Sequence, residues 1–134
     1  MLVLATWPPM AIIAEPSEEH IKAAIHALDN ETHLGLSLFQ ADEQSEREER
    51  IVVMGGERVN VAYWPASAEE PAFYLRDNSA DTLAQVLINY GDQGELAYPA
   101  QETVEQEIAL EEILYFMRHR RISAYGAWVP YETT

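Results

Sequence analysis

Apolar positions recur at two different periods along this chain, and each change of period marks a new element. Ile21, Ala24, Ile25 and Leu28 fall at i, i+3, i+4 and i+7, which puts them on one helical stripe. Ser17 stands ahead of that stripe as an N-cap, and Glu18 and Glu19 sit beside the positive end of the helix dipole. Asp29-Asn30 is the expected stop. From Thr32 to Phe39 the period falls to two, with Leu34, Leu36 and Leu38 on one side and His33, Gly35, Ser37 and Phe39 on the other, as in a half-buried strand. Gln40 to Arg50 has no apolar residue after Ala41 and reads as an exposed acidic loop.

Ile51 to Met54 and Val59 to Trp64 flank Gly55-Gly56, the pattern of a β-hairpin whose turn needs positive φ. An acidic connection from Pro65 to Pro71 leads to a strand at Ala72–Leu75. Leu83 to Tyr90 and Leu96 to Tyr98 surround Gly91-Asp92-Gln93-Gly94, again with turn chemistry, so the middle of the chain is expected to be an antiparallel meander. Helical period returns from Glu105 to Arg118 through Leu110, Ile113, Leu114 and Met117, widened by Ala109 and Phe116. Arg118, His119, Arg120 and Arg121 compensate its negative end, with Glu111 or Glu112 as expected ion partners. A strand-like stretch then runs from Ile122 to Tyr131, and Leu2 to Ala5 forms a short strand ended by Trp7-Pro8-Pro9. These elements predict an α+β domain, with two helices packed on a mostly antiparallel sheet of about six strands.

At 134 residues the chain has the size of a single domain, spanning residues 1–134. Its 48% hydrophobic and 23% charged residues allow a packed core. Cys is absent, so disulfides, thiolate metal sites and cysteine nucleophiles are excluded. The apolar run Met1 to Ala14 lacks a basic leader and is too short to span a bilayer, so it is expected to remain part of a mature, cytoplasmic protein. Charge changes the picture most: 23 Asp and Glu face 8 Lys and Arg, a formal net charge of −15. Phosphate backbones and anionic membranes would be repelled, whereas a basic protein would be attracted.

Candidate chemistry is sparse. His20 and His26 are six residues apart and occupy different helix faces, while His33 lies on a strand and His119 at a basic helix end. Each reads as a surface or cap residue, and neither a metal nor another cofactor is expected. Gly55-Gly56 lacks the Gly-Lys-Ser/Thr ending of a phosphate loop, and no Gly-x-Ser-x-Gly elbow occurs, so nothing nominates an enzyme. The three Trp and seven Tyr belong to a core or an interface, because a stacking nucleic-acid site would need a positive groove. Carboxylates crowded into loops contribute no folding energy, and a partner of opposite charge accounts for them, with solvated surface loops as the competing account.

Several local signatures resemble those of one family. They are Ala27-Leu28-Asp29 closing the first helix, Val53-Met54-Gly55-Gly56 followed by Val59-Asn60-Val61-Ala62-Tyr63, Gly94 and Pro99, and the run Ala109-Leu110-Glu111-Glu112-Ile113-Leu114-Tyr115-Phe116 before a basic turn and a closing strand with Trp128. Over roughly residues 17–130 the chain resembles the first immunity-protein family of bacterial polymorphic toxin systems. It departs from that family after the second helix, where His119-Arg120-Arg121-Ile122-Ser123 replaces a small residue and a proline. The resemblance implies a non-enzymatic, cytoplasmic inhibitor that binds a cognate protein toxin in the producing cell. It also implies a toxin of a mostly nucleic-acid-targeting kind, a class that includes nucleases and nucleobase deaminases, which are basic where they grip substrate.

The expected toxin-binding residues come from the charge pattern and not from the family: Asp42, Glu43, Glu46, Glu48 and Glu49 in the first loop, Glu69 and Glu70 in the second, and Asp92 and Glu95 at the third turn. They would meet a basic groove while exposed aromatics anchor the contact. No nucleic-acid or membrane partner is expected. Two rivals stand beside this reading. A small-ligand-binding protein or enzyme would hold a pocket between sheet and helices, with Glu112 or His119 as first suspects. An assembly subunit would self-associate through Tyr and Trp.

Overall fold

The computed structural model describes residues 1–41, 49–66, 68–124 and 126–131. Its strands are β1 (Leu2–Trp7), β2 (Ala11–Ala14), β3 (Gly35–Gln40), β4 (Arg50–Gly55), β5 (Arg58–Trp64), β6 (Phe73–Leu75), β7 (Gln85–Asn89), β8 (Glu95–Pro99), β9 (Val104–Glu105) and β10 (Trp128–Pro130). The helices are α1 (Glu18–Ala27) and α2 (Gln106–His119). Eight strands form one sheet in the order β10-β6-β5-β4-β3-β1-β2, with β9 added beside the start of β5. Every pairing in it is antiparallel. The chain is thus an α+β protein with two helices packed on an antiparallel sheet.

Period-two alternation decides which side chains meet the helices. Leu36 and Leu38 of β3, Ile51 and Val53 of β4, and Val59 and Val61 of β5 are fully buried, and they point to one face together with Leu2 and Leu4. Ile21, Ile25 and Leu28 around α1, and Ala109, Leu110, Ile113 and Phe116 of α2, close over that face. At about 25 cal/mol per Å² of apolar surface, each such large side chain contributes roughly 1.5–3 kcal/mol.

Local chemistry starts and stops the helices. Ser17 Oγ accepts from the His20 amide at 3.2 Å while the Ser17 amide donates to His20 Nδ1 at 3.0 Å, a reciprocal capping box with histidine in the place usually taken by glutamate. Past the end of α1, Asp29 Oδ1 accepts from the amides of Glu31, Thr32 and His33. The Thr32 hydroxyl also donates to this carboxyl, and together these donors hold it well below the usual carboxylate range. α2 ends at Arg120 in the left-handed region, φ 58°, whose amide donates to Phe116 O. Arg118 does not pair within its own helix as the sequence suggested. It reaches across to Glu18 of α1, Nη2 to Oε1 2.6 Å, because the two helices lie side by side on the sheet.

Three further expectations change. Ala11–Ala14 is an additional strand, missed because this edge position leaves both sides exposed enough to remove the alternation that marks a strand. The closing strand shortens to Trp128–Pro130 on the outer side of β6. The meander stops at β6: β7 and β8 pair only with each other and fold over the open sheet face. Val86 and Ile88 pack there against Leu34, Met54 and Trp7, and Asn30 holds the hairpin through Nδ2 to Leu87 O (3.0 Å) and Oδ1 from the Asn89 amide (2.8 Å). No helix among the described residues is long and apolar enough to cross a membrane.

Candidate functional site

Between the β7–β8 hairpin and the open face of the sheet lies a cleft of about 400 Å³. Alternation builds its floor: since Ile51, Val53, Val59 and Val61 face the helices, Val52 and Met54 of β4 and Asn60, Ala62 and Trp64 of β5 face the cleft. Trp7 enters from β1 because β3 offers only Gly35 beneath it. A Cβ placed on Gly35 would fall 2.7 Å from Cζ2 of that indole and 2.3 Å from Met54 Sδ, so only glycine leaves the ring its seat. The hairpin supplies Tyr90, Gln93 and Tyr98, and the chain after β10 supplies Tyr131.

None of the residues lining the cleft is charged, and its polar side chains carry amides, phenols and indole N–H groups. The Tyr90 and Tyr98 hydroxyls hydrogen-bond to each other. Burial raises the Tyr90 phenol above its usual range, reinforced by that bond, and pushes Tyr131 up to about 12. Both phenols are therefore neutral near pH 7 and can donate or accept. Asn60 is buried, and its Nδ2 donates to Glu102 O at 3.1 Å.

The structure distributes the expected acidic residues unevenly. Asp42, Glu43, Glu46 and Glu48 lie outside the described residues. Glu49 accepts from the Tyr63 hydroxyl at 2.6 Å, and Tyr63 packs edge-on against Phe116 and Trp128 on the helical face. Burial and this carboxylate together raise the Tyr63 phenol well above its usual range. Glu69 lines a shallow hollow with Arg50, Ala68 and Trp64, and Trp64 is shared with the cleft. Glu70 is exposed and precedes Pro71 on the cleft wall, and Asp92 is exposed and precedes Gln93. Glu95 is exposed at the start of β8. Glu69, Glu70 and Asp92 are therefore brought to the borders of one cleft from two separate loops.

The hairpin also exposes large apolar side chains. Leu83 just before β7 is 90% exposed, Leu87 57% and Leu96 55%. Leu96 adjoins Glu95, Leu87 pairs with Ala97 further along the hairpin, and Leu83 precedes β7 at the end away from the Asp92 turn; exposed leucines and carboxylates on one hairpin have the composition of a protein-contact surface.

Several other titratable groups have structural partners. His26 pairs with Glu107 at 2.9 Å, and His119 stacks on Tyr115 with ring centroids 4.3 Å apart. Among the described residues no three His, Asp or Glu side chains converge as metal ligands would. Half-buried Glu112 accepts from Trp128 Nε1 at 3.0 Å, and burial outweighs that bond to hold its carboxyl above the usual range. Neither Glu112 nor His119 lines the cleft. The sheet–helix interface is occupied by fully buried side chains that include Leu4, Ile25, Leu36, Val53, Ile113 and Phe116.

The charge pattern along the chain marks the rim of the cleft but not its walls. Trp7, Trp64, Tyr90, Tyr98 and Tyr131 line it, yet their convergence depends on a hairpin folding back over the sheet, which no local pattern reveals. Comparison with known protein families and with curated proteins finds no match.

Proposed function

We propose that this chain is a non-enzymatic immunity protein that binds a basic toxin domain in the cytoplasm of the producing cell and blocks its active site. The observation that carries this reading is the β7–β8 hairpin: it packs over the open sheet face and leaves Leu87 exposed on its outer side and Leu96 exposed beside Glu95, with exposed Asp92 in its turn. Exposed leucines supply the desolvating centre of a contact, and the surrounding carboxylates steer a cationic partner toward it. The net charge of −15 extends that steering over the whole molecule. The family resemblance of the second helix and closing strand points the same way, with a nuclease or nucleobase deaminase as the toxin.

The cleft favours one other reading, because its volume falls within the range of small-molecule sites, roughly 300–1,000 Å³. A small-ligand protein would gain thermal stability from a neutral metabolite. Sequencing the DNA beside the gene separates the two. An upstream gene with a secretion-linked start and a small basic C-terminal domain supports the inhibitor and supplies its partner; flanks with metabolic genes alone favour the ligand protein.

A further inference from the structure

We propose that the cleft takes the guanidinium group of an arginine side chain offered by a basic protein partner; this rests on the inhibitor reading and names the chemistry its central contact uses. Aromatic rings converge there from separate parts of the chain, Trp7 from β1, Trp64 from β5, Tyr90 and Tyr98 from the hairpin and Tyr131 from beyond β10. Their faces carry negative quadrupole charge and attract a cation placed over them. One ring already does so within this chain: the Arg50 guanidinium carbon lies 4.6 Å from the Trp64 ring centroid, on a residue that also walls the cleft.

Charge selects the sign of the occupant. The cleft lining holds no basic side chain, so a phosphate or carboxylate would find no counter-charge inside. The two adjoining hollows each hold one carboxylate and one arginine, Glu69 with Arg50 beside Trp64 and Glu102 with Arg76 beside Tyr131, and the exposed carboxylates Glu70, before Pro71, and Asp92, before Gln93, add negative charge next to the lining. Shape and hydration then favour arginine over lysine. Guanidinium is planar, stacks on aromatic faces and is weakly hydrated, whereas an ammonium would surrender a tightly held water shell. Its N–H donors suit the phenol oxygens and the side-chain amides of Asn60 and Gln93.

The test uses the full-length chain, labelled so that the indole N–H groups of Trp7 and Trp64 are followed by NMR, and Nα-acetylarginine amide as the probe. The citrulline amide serves as the neutral isostere and adenosine as a neutral stacking ligand. Arginine amide is expected to shift both indole signals saturably, with citrulline and adenosine weaker by at least about fivefold, and Trp64→Leu is expected to weaken the arginine response roughly 5- to 30-fold. Tyr98→Phe, which keeps the ring and removes one phenol acceptor, is expected to weaken it by a smaller factor than Trp64→Leu does. No saturable shift at these indoles, or an equal response to citrulline or adenosine, overturns the proposal. The inhibitor reading fails separately: a toxin that binds while the arginine amide does not removes the cleft assignment alone, and an arginine response without any toxin in the gene neighbourhood upholds the cleft and removes the inhibitor.

Discussion

The indole of Trp7 occupies the space that a side chain on Gly35 would fill, and a Cβ there would come within 2.7 Å of its Cζ2 and 2.3 Å of Met54 Sδ. This close approach sets one wall of the cleft. Gly35→Ala is therefore expected to displace Trp7, lower unfolding stability by about 1–3 kcal/mol as overpacking does, and change tryptophan emission. Chemical denaturation followed by fluorescence checks both effects; unaltered stability and emission would show that the ring has room to move.

Arg58 ties β5 to two connections at once. Its Nη2 donates to Asp77 Oδ2 at 2.9 Å and to the Thr103 carbonyl at 2.7 Å, while Nε donates to Thr103 Oγ1 at 2.9 Å. Arg58→Met leaves a part-buried carboxylate and two acceptors without their donor. It is expected to cost about 2 kcal/mol by urea denaturation at pH 7.

The same contact gives a pH dependence. Hydrogen bonds from Ser79 and then Arg58 lower Asp77 from an ordinary 3.8 to about 2. Because the folded value is depressed, its stabilisation is complete above about pH 4 and is lost as pH falls through 2. Asp77→Asn is expected to narrow the stability difference between pH 5 and pH 2.5 relative to the parent, read from thermal unfolding at each pH. An identical difference in both proteins would assign the acid sensitivity elsewhere.

Glu112 works in the opposite sense. Burial raises its carboxyl in the folded protein, so the folded state favours the protonated form and loses stability as pH rises from the ordinary value near 4.5 through the raised one. Glu112→Gln keeps an oxygen acceptor for Trp128 Nε1 and removes the charge. The variant is expected to gain stability over the parent at pH 7 relative to pH 4, measured by denaturant midpoints. A constant difference across that range would show that burial does not disfavour the charged carboxyl.

How far the fold was legible follows from where each signal resides. Both helices announced themselves through stripes such as Ile21, Ile25 and Leu28, and the β4–β5 hairpin through Gly55, which adopts φ 134°. Those signals are local, within one element or one turn. What escaped was non-local. Val86 and Ile88 read as another meander strand, but their partners Leu34 and Met54 belong to segments over thirty residues earlier, and Asn30 takes up the backbone groups that a neighbouring strand would have used. The site divides the same way. Glu70 and Asp92 were visible as charge in turns, whereas Tyr98 and Tyr131 become neighbours across the cleft only after the hairpin folds over the sheet.

Steering gives a kinetic prediction for those carboxylates. Reversing Asp92 and Glu95 to lysine is expected to slow association with the proposed toxin partner roughly tenfold at low salt and to flatten the salt dependence of the rate. Reversal at Asp42, Glu43, Glu46 and Glu48 is expected to act in the same direction. Stopped-flow association at two ionic strengths measures both, and unchanged kinetics would exclude the segment concerned.

The most direct measurement is the activity of a basic toxin domain found encoded beside this gene, the partner that the proposed inhibitor role requires, assayed on nucleic acid or nucleoside substrate with and without an equimolar amount of this chain. Stoichiometric loss of activity, relieved when Asp92 and Glu95 are reversed and Leu87 and Leu96 are replaced by serine, is the expected result. Full toxin activity in the presence of excess chain would contradict the inhibitor account.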